Sequence, residues 1–282
     1  ELALDPDSIF AHLRRVAPPG ETVAGGGDLV TGRKTAGTTA ARTYLDGYVA
    51  HAALETHTAV AELADGRCTI WASTQTPFPL RAQAAEALGM PEQNVRVIPP
   101  FVGGGFGGKT FNQQAVEAAR LAKKTGRPVQ VAWSRAEEFF YDTFRPAAVI
   151  DIDAGVGEGG RIAYWDFTTC FAGSRGAEHF YDIPHHRTVA KPGGWRGGPG
   201  THPFATGAWR APGNNSNTFA RESHIDVLAA AAGIDPVEFR RRNLKDRKMI
   251  RVLEATAEPS ASETGRASRR RGRGIALGID AG

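Results

Sequence analysis

The residues able to do chemistry are concentrated in one loop and a few outliers. Phe101 to Thr110 reads FVGGGFGGKT, with glycine at 103, 104, 105, 107 and 108, interrupted by Phe106 and closed by Lys109 and Thr110. Each glycine raises the entropy cost of ordering, so such a run does not belong inside a helix or strand. It suits a backbone that must turn sharply or come very close to a ligand. Three readings fit the loop. Gly103 to Thr110 matches G-x-x-x-x-G-K-[ST], which would place Lys109 on nucleotide phosphates and Thr110 on magnesium, with Asp151 or Asp153 as the acidic magnesium residue. Alternatively the loop lies along a large organic cofactor, with Phe106 as a packing wedge. The third reading is a tight turn that lets a helix pack closely on a sheet.

Gln75 lies in the proline-broken run TQTPFPL. A neutral amide there can donate to an oxo or carbonyl oxygen, or it can satisfy loop amides. Arg210 is a cation in the rigid turn WRAPG. His51, Glu55 and His57 stand in HAALETH, which lacks the H-E-x-x-H spacing, so a structural role is expected rather than metal ligation. His179, His185, His186 and His202 have no zinc-like spacing. Cys68 and Cys170 are too isolated to support an iron–sulfur cluster, a zinc site or a disulfide framework.

Periodicity predicts the elements that must hold these groups. Ala115, Ala118, Ala119 and Ala122 recur at i, i+3, i+4 and i+7, predicting a helix from Gln113 to Lys124 ended by Gly126 and Pro128. VRVIPPFV before the loop reads as a strand broken at Pro99-Pro100. Strand, glycine loop and helix together make a layout suited to binding an anion. Upstream, Ser8 to Val16 is helical and Thr43 to Val97 is strand-rich, with CTIWAST a strand and Arg81 to Leu88 a short helix. Downstream, PVQVAWS, PAAVIDID and RIAYWDFTTCF read as strands. Between the first two, Glu137, Glu138 and Asp142 are expected on a solvated helix face. Asp151 and Asp153, alternating with Ile150 and Ile152, also suit an edge strand with one polar face. Residues 173–207 read as a long irregular stretch, the kind that lines a site or meets a partner. Helices are expected from Thr218 to Ala232 and, capped by Asp235 with Pro236 at its first position, through Leu244.

Composition narrows the class. The chain has 282 residues, 41% hydrophobic and 23% charged, and no apolar run approaches a membrane span. The formal net charge of +4 is local: removing Arg266, Arg269, Arg270, Arg271 and Arg273 of RASRRRGRG takes it to −1. No aromatics are interleaved with these arginines, so a solvated connector is expected rather than a nucleic-acid-binding tail.

Taken together, YVAHAALET, IWASTQTPF, FVGGGFGGK, GRPVQVAWSRAEEF, TGAWRAPGNNSNTFARESHIDVLA and GIDPVEFRRRNL occur in one order over most of Thr43 to Leu244. In that order they resemble the molybdopterin-binding subunit of the xanthine dehydrogenase/aldehyde oxidase family, most closely its bacterial isoquinoline 1-oxidoreductase-like branch. The resemblance implies a mixed α/β fold (α+β in layout), the first molybdenum-cofactor-binding domain of a molybdenum hydroxylase large subunit. It implies residues 1–42 as the end of a preceding hammerhead-like domain, 43–254 as the first molybdopterin-binding domain, and 255–282 as a basic linker and the start of a second such domain.

Residue by residue, Gln75 corresponds to the glutamine that bonds a molybdenum oxygen. Phe106 and Gly107 correspond to the backbone beside the metal, flanked by Gly104, Gly105 and Gly108, and Arg210 to the arginine approaching from another side. The family holds molybdenum through the dithiolene of molybdopterin, the cytosine dinucleotide form being expected here, and has no protein ligand to the metal. Its reaction hydroxylates an aldehyde or N-heterocycle with water as oxygen source, electrons leaving through 2Fe-2S clusters on a partner chain. A cytochrome or flavin subunit and a chain carrying the second molybdopterin-binding domain are further partners of that kind; nucleic acid is not. The family's catalytic glutamate has no counterpart in this sequence, so the chain alone is not expected to catalyse. Thr110 stands where xanthine-oxidising members carry a glutamate, which favours a different substrate. A P-loop NTPase and a non-catalytic assembly subunit are the alternatives.

Overall fold

The computed structural model describes residues 5–193, 201–262 and 274–279. In chain order its regular elements begin with α1 (Pro6–Val16), β1 (Glu21–Gly26), α2 (Leu29–Thr35), β2 (Thr38–Asp46) and β3 (Val49–Ala50). Next come β4 (Thr58–Ala64), β5 (Arg67–Ala72), α3 (Pro77–Leu88), β6 (Val95–Ile98), α4 (Gln113–Thr125), β7 (Val129–Ala132), α5 (Arg135–Tyr141) and β8 (Phe144–Arg145). The last are β9 (Ala148–Val156), β10 (Ile162–Phe171), β11 (His185–Gly193), α6 (Asn214–Ala231), α7 (Pro236–Arg242) and α8 (Arg247–Ser262). They fall into two compact units, residues 48–146 with 204–210 and the remainder.

The larger unit is built on a five-stranded sheet in the order β1-β11-β10-β9-β2, antiparallel except for the β10–β11 pair. Period-two alternation sorts its central strands. Ile150, Ile152, Trp165 and Phe167 point into a core closed by Ile225, Leu228 and Ala229 of α6 and Phe239 of α7. The other face carries Asp151, Asp153 and Asp166. Asp153 and Asp166 are register partners, a repulsive pairing that Arg33 relieves by bridging both, at 2.8 and 3.3 Å. The polar face is as expected, but β9 lies inside the sheet and not at its edge. β11 also orders part of the stretch expected to be irregular: its parallel pairing with β10 reaches across the sequence and has no local signal. The limit expected at residue 42 runs through β2, all nine residues of which pair with β9. The Arg266–Arg273 cluster lies outside the described residues.

The smaller unit carries a four-stranded sheet in the order β6-β5-β4-β7. β5 and β6 are parallel, joined across α3, and the remaining pairs are antiparallel. Helices α3 and α4 lie on it through Ala84, Ala85, Ala115, Ala118, Ala119 and Ala122, all buried against Ala59, Ala61, Ile70 and Ala72. Small residues on both sides let helix and sheet backbones come close. Helix α3 begins at Pro77, four residues before the expected start, because proline at the first helical position needs no N–H partner. Cys68 is buried here, which pushes its thiol up to about 11. Among the described residues no helix is long and apolar enough to cross a membrane.

Candidate cofactor site

The site lies entirely in the smaller unit, where the end of β5, the loop after β6 and the run 207–210 meet. After Ala72, Ser73 and Thr74 stay buried and Gln75 N–H donates to Lys109 O at 2.8 Å. That bond ties the strand end to the loop. The Gln75 side chain then turns back, and its Oε1 accepts from Gly107 N–H at 2.9 Å. Because a backbone N–H can only donate, the amide orientation is fixed: oxygen toward the loop, the NH2 group away from it. A Cβ on Gly105 would stand 2.5 Å from Gln75 Oε1, so only glycine permits this approach.

Across the loop, Arg210 N–H donates to Phe106 O at 2.7 Å, and its guanidinium lies 5.5 Å from the Phe106 ring centre. A Cβ on Gly107, whose φ is +114°, would meet Ala208 O at 2.0 Å. Phe106 holds φ +57°, a left-handed conformation rare for an aromatic residue and costing about 1–3 kcal/mol. The bonds from both flanks hold it there. Gln75, Phe106, Gly107 and Arg210 thus converge on one exposed edge. Gly108 is buried behind it, with its N–H donated to Gly105 O.

The edge is rich in donors. The amides of Gly104, Gly105 and Phe106 have no acceptor among the described residues, and neither do the Gln75 NH2 group and the Arg210 guanidinium. The Trp209 indole N–H also lacks an acceptor among the described residues, but it is buried and not part of the exposed edge. Consecutive free amides and a cation suit a group bearing oxygens and negative charge.

Lys109 and Thr110 are not part of that edge. Lys109 is 1% exposed, its Nζ 2.9 Å from Glu55 Oε2, and Glu55 Oε2 also accepts from Gly103 N–H at 2.6 Å. Burial raises the Glu55 carboxyl, but the bonds from Lys109 and Gly103 outweigh it and hold the group below its usual range. The Thr110 hydroxyl donates to Gly107 O at 2.7 Å, and α4 starts only at Gln113. A phosphate-binding lysine must be free and its hydroxyl partner must open the helix; here both are turned inward, so the nucleotide reading fails.

A second layer lies beneath the loop, and no local pattern announces it. Glu138 and Asp142, expected to be solvated, are 1% and 6% exposed, while Phe139, Phe140 and Tyr141 on the same short helix are out in solvent. The acids turn inward because two histidines wait there. His51 Nδ1 lies 2.9 Å from Asp142 Oδ2, and His57 Nδ1 3.3 Å from Glu138 Oε1. The i, i+4 spacing of the acids was the available signal, but nothing in sequence links it to the histidines 81 and 91 residues earlier.

Known proteins share this arrangement of chain. Residues 15–244 match the family described as Molybdopterin cofactor-binding domain. The chain belongs to that family. It is 30% identical to a subunit of nicotinate dehydrogenase from Pseudomonas putida over 262 residues, covering 84% of this chain and 21% of that protein. It is 30% identical to the beta subunit of isoquinoline 1-oxidoreductase from Brevundimonas diminuta, covering 77% of this chain and 29% of that one. The fold matches that of aldehyde oxidoreductase from Desulfovibrio gigas with a TM-score of 0.69 at 21% identity, over 89% of this chain and 31% of that one. The chain therefore spans about a fifth to a third of the relatives it matches. These matches support the molybdenum-cofactor reading of the chain over the nucleotide reading.

Proposed function

We propose that the edge formed by Gln75, Gly104, Gly105, Phe106, Gly107 and Arg210 holds molybdopterin, in its cytosine dinucleotide form, within a molybdenum hydroxylase. The observation that carries this reading is the donor set. A fixed Gln75 NH2 group, three unbonded loop amides and a guanidinium lie along the exposed edge, and among the described residues no carboxylate or thiol is bonded to them. This suits a cofactor whose metal is held by its own sulfurs and whose oxygens need donors. When bound, the cofactor supplies oxidation of an aldehyde or N-heterocycle with water as oxygen source, and its electrons leave to iron–sulfur clusters on a partner chain.

What this chain's own residues do follows from their contacts. Gln75 donates to an oxygen of the cofactor while its own carbonyl remains clamped by Gly107 N–H. A preorganised donor of this kind stabilises developing negative charge without reorganising. Arg210 offers a positive charge on the other flank, aimed by the Arg210–Phe106 backbone bond and by Phe106 beneath the guanidinium. The Phe106 backbone, free of a Cβ on both glycine neighbours, lets the cofactor ring lie close. Thr110, its hydroxyl turned into the loop, offers no acid to a purine, which is the motive for preferring an aldehyde or another N-heterocycle.

The test is metal and pterin analysis of the matured full-length assembly, wild type against Gln75→Ala and Arg210→Ala. The reading expects about one molybdenum per wild-type protomer, the stoichiometry of a single dedicated site, and a clear drop in both variants without loss of fold. Wild-type metal content in both variants would refute it.

A further inference from the structure

Beneath the loop, His51 is engaged on both sides of its ring. Nδ1 lies 2.9 Å from Asp142 Oδ2 and Nε2 lies 2.8 Å from Ala208 O. A carbonyl oxygen has no proton to give, so Nε2 must donate. Ala208 O in turn stands against the bare Cα of Gly107, at 2.0 Å from the place a Cβ would occupy. The pair also forms the floor under Gly108, where a Cβ would meet Asp142 Oδ2 at 2.7 Å and His51 Nδ1 at 2.8 Å. Asp142 is aimed by Thr143 N–H, which donates to its other oxygen at 2.7 Å.

We propose that the buried His51–Asp142 pair is the positioning device of this site: by holding the Ala208 carbonyl against Gly107 it sets the spacing between the glycine loop and the run that carries Arg210. Two residues beyond Ala208, the Arg210–Phe106 backbone bond depends on that spacing. His51 and Asp142 do not reach the exposed edge; they act through Ala208 and Gly108. The purpose of the device rests on the cofactor reading, but its geometry does not.

The proton inventory supports the assignment. Burial lowers the His51 pKa, but the bonds to Asp142 and Ala208 outweigh it and leave it above the ordinary value of 6.5. The ring therefore holds both protons below that value, and loses the Nε2 bond only as pH rises through the raised one. The charged groups packed around the pair are Asp142 itself, Glu138 with His57 and Arg135, and the Lys109–Glu55 pair on the loop. Ligand atoms of His57, Glu138 and Asp142 all lie within 4.8 Å of one another, a spacing a metal could use. Asp142 Oδ2 is already bonded to His51, and Glu138 Oε2 to Arg135 at 3.1 Å, so the acids are balanced by protein cations. The cluster is a hydrogen-bonded support.

The test is amide hydrogen exchange on the chain itself, with His51→Gln and Asp142→Asn, rates corrected for intrinsic pH dependence. The glutamine amide donates from one nitrogen and does not span the two directions of the ring. We expect exchange in 103–110 and 204–210 to rise at least about tenfold in His51→Gln, with α4 unchanged. The single oxygen of Asp142→Asn stays on Thr143 N–H, so its NH2 group faces Nδ1 and donates to a neutral ring whose Nε2–H still reaches Ala208 O. It should hold the loop at about pH 8 and loosen it, like His51→Gln, at about pH 5, where protonation of an unassisted imidazole sets Nδ1–H against that NH2 group. Unchanged loop exchange in both variants, or equal acceleration in α4, would overturn the proposal. Molybdenum analysis of Gln75→Ala and Arg210→Ala separates the two readings: a loosened loop in His51→Gln together with full metal in both of those variants would sink the cofactor reading and leave the positioning role standing.

Discussion

Replacing Gly107 with alanine isolates how much of the site depends on one missing methyl group. At φ +114° any L-residue is strained, by about 1–2 kcal/mol. The new Cβ would also stand 2.0 Å from Ala208 O, where ordinary contact begins at 3.4 Å, so loop and run must separate by about 1.4 Å. That movement breaks the Arg210–Phe106 bond and lengthens the His51–Ala208 bond, each worth about 0.5–1.5 kcal/mol. The sum is about 2–5 kcal/mol. Gly126 provides the control: its φ is +65° with nothing within 4 Å of a Cβ, so Gly126→Ala bears the conformational penalty of about 1 kcal/mol alone. In thermal unfolding the two variants should differ clearly, by roughly 10 °C against about 3 °C. In the matured assembly only Gly107→Ala should lose molybdenum. Equal melting temperatures, or full metal in Gly107→Ala, would show that the close approach of Gly107 to Ala208 does not matter.

Other substitutions separate the remaining contacts. Lys109→Met should destabilise by about 1–3 kcal/mol, a partial cost because Glu55 can rehydrate, and should not change nucleotide binding, measured by calorimetry with magnesium–ATP. Glu55 is held below its ordinary 4.5, so its stabilisation is present above that value and is lost as pH falls through the lowered one. The acid-unfolding midpoint of Lys109→Met should accordingly move to higher pH than wild type. Gln75→Glu keeps the acceptor for Gly107 N–H but loses both donors, so stability should stay within about 0.5 kcal/mol while metal retention falls. In the larger unit, buried Glu222 accepts from Arg240 at 3.0 Å, Tyr181 at 3.0 Å and Leu277 N–H at 3.0 Å. Glu222→Gln should cost about 3–5 kcal/mol and speed proteolysis at 274–279.

What the sequence disclosed follows the range of the interactions concerned. The alanine face of α4, the strand before the loop and the cap at Asp235 are local patterns, and each forms where expected. Gln75, Phe106 and Arg210 were recognisable only as members of an ordered set of motifs; the structure brings them together through Gly107 and a backbone bond that no local pattern encodes. Lys109 shows the converse. Its motif match is local and genuine, but its chemistry is decided by Glu55, 54 residues earlier. The solvated reading of Glu138 and Asp142 failed for the same reason, since acids are buried only beside partners, and their histidines lie in a different segment. β11 was missed because a strand full of histidine, lysine and proline has weak intrinsic propensity, and its two neighbours in the sheet supply the pairing.

The most direct test of the account is the position of the metal. Anomalous scattering at the molybdenum edge from crystals of the matured assembly would place it without reference to any motif. The account predicts a peak beside Phe106 and Gly107, with the Gln75 NH2 group within hydrogen-bond reach of an oxygen of the cofactor and Arg210 on the opposite flank. A fully occupied peak elsewhere, leaving the Gln75, Gly104, Gly105 and Phe106 donors bonded only to water, would contradict it.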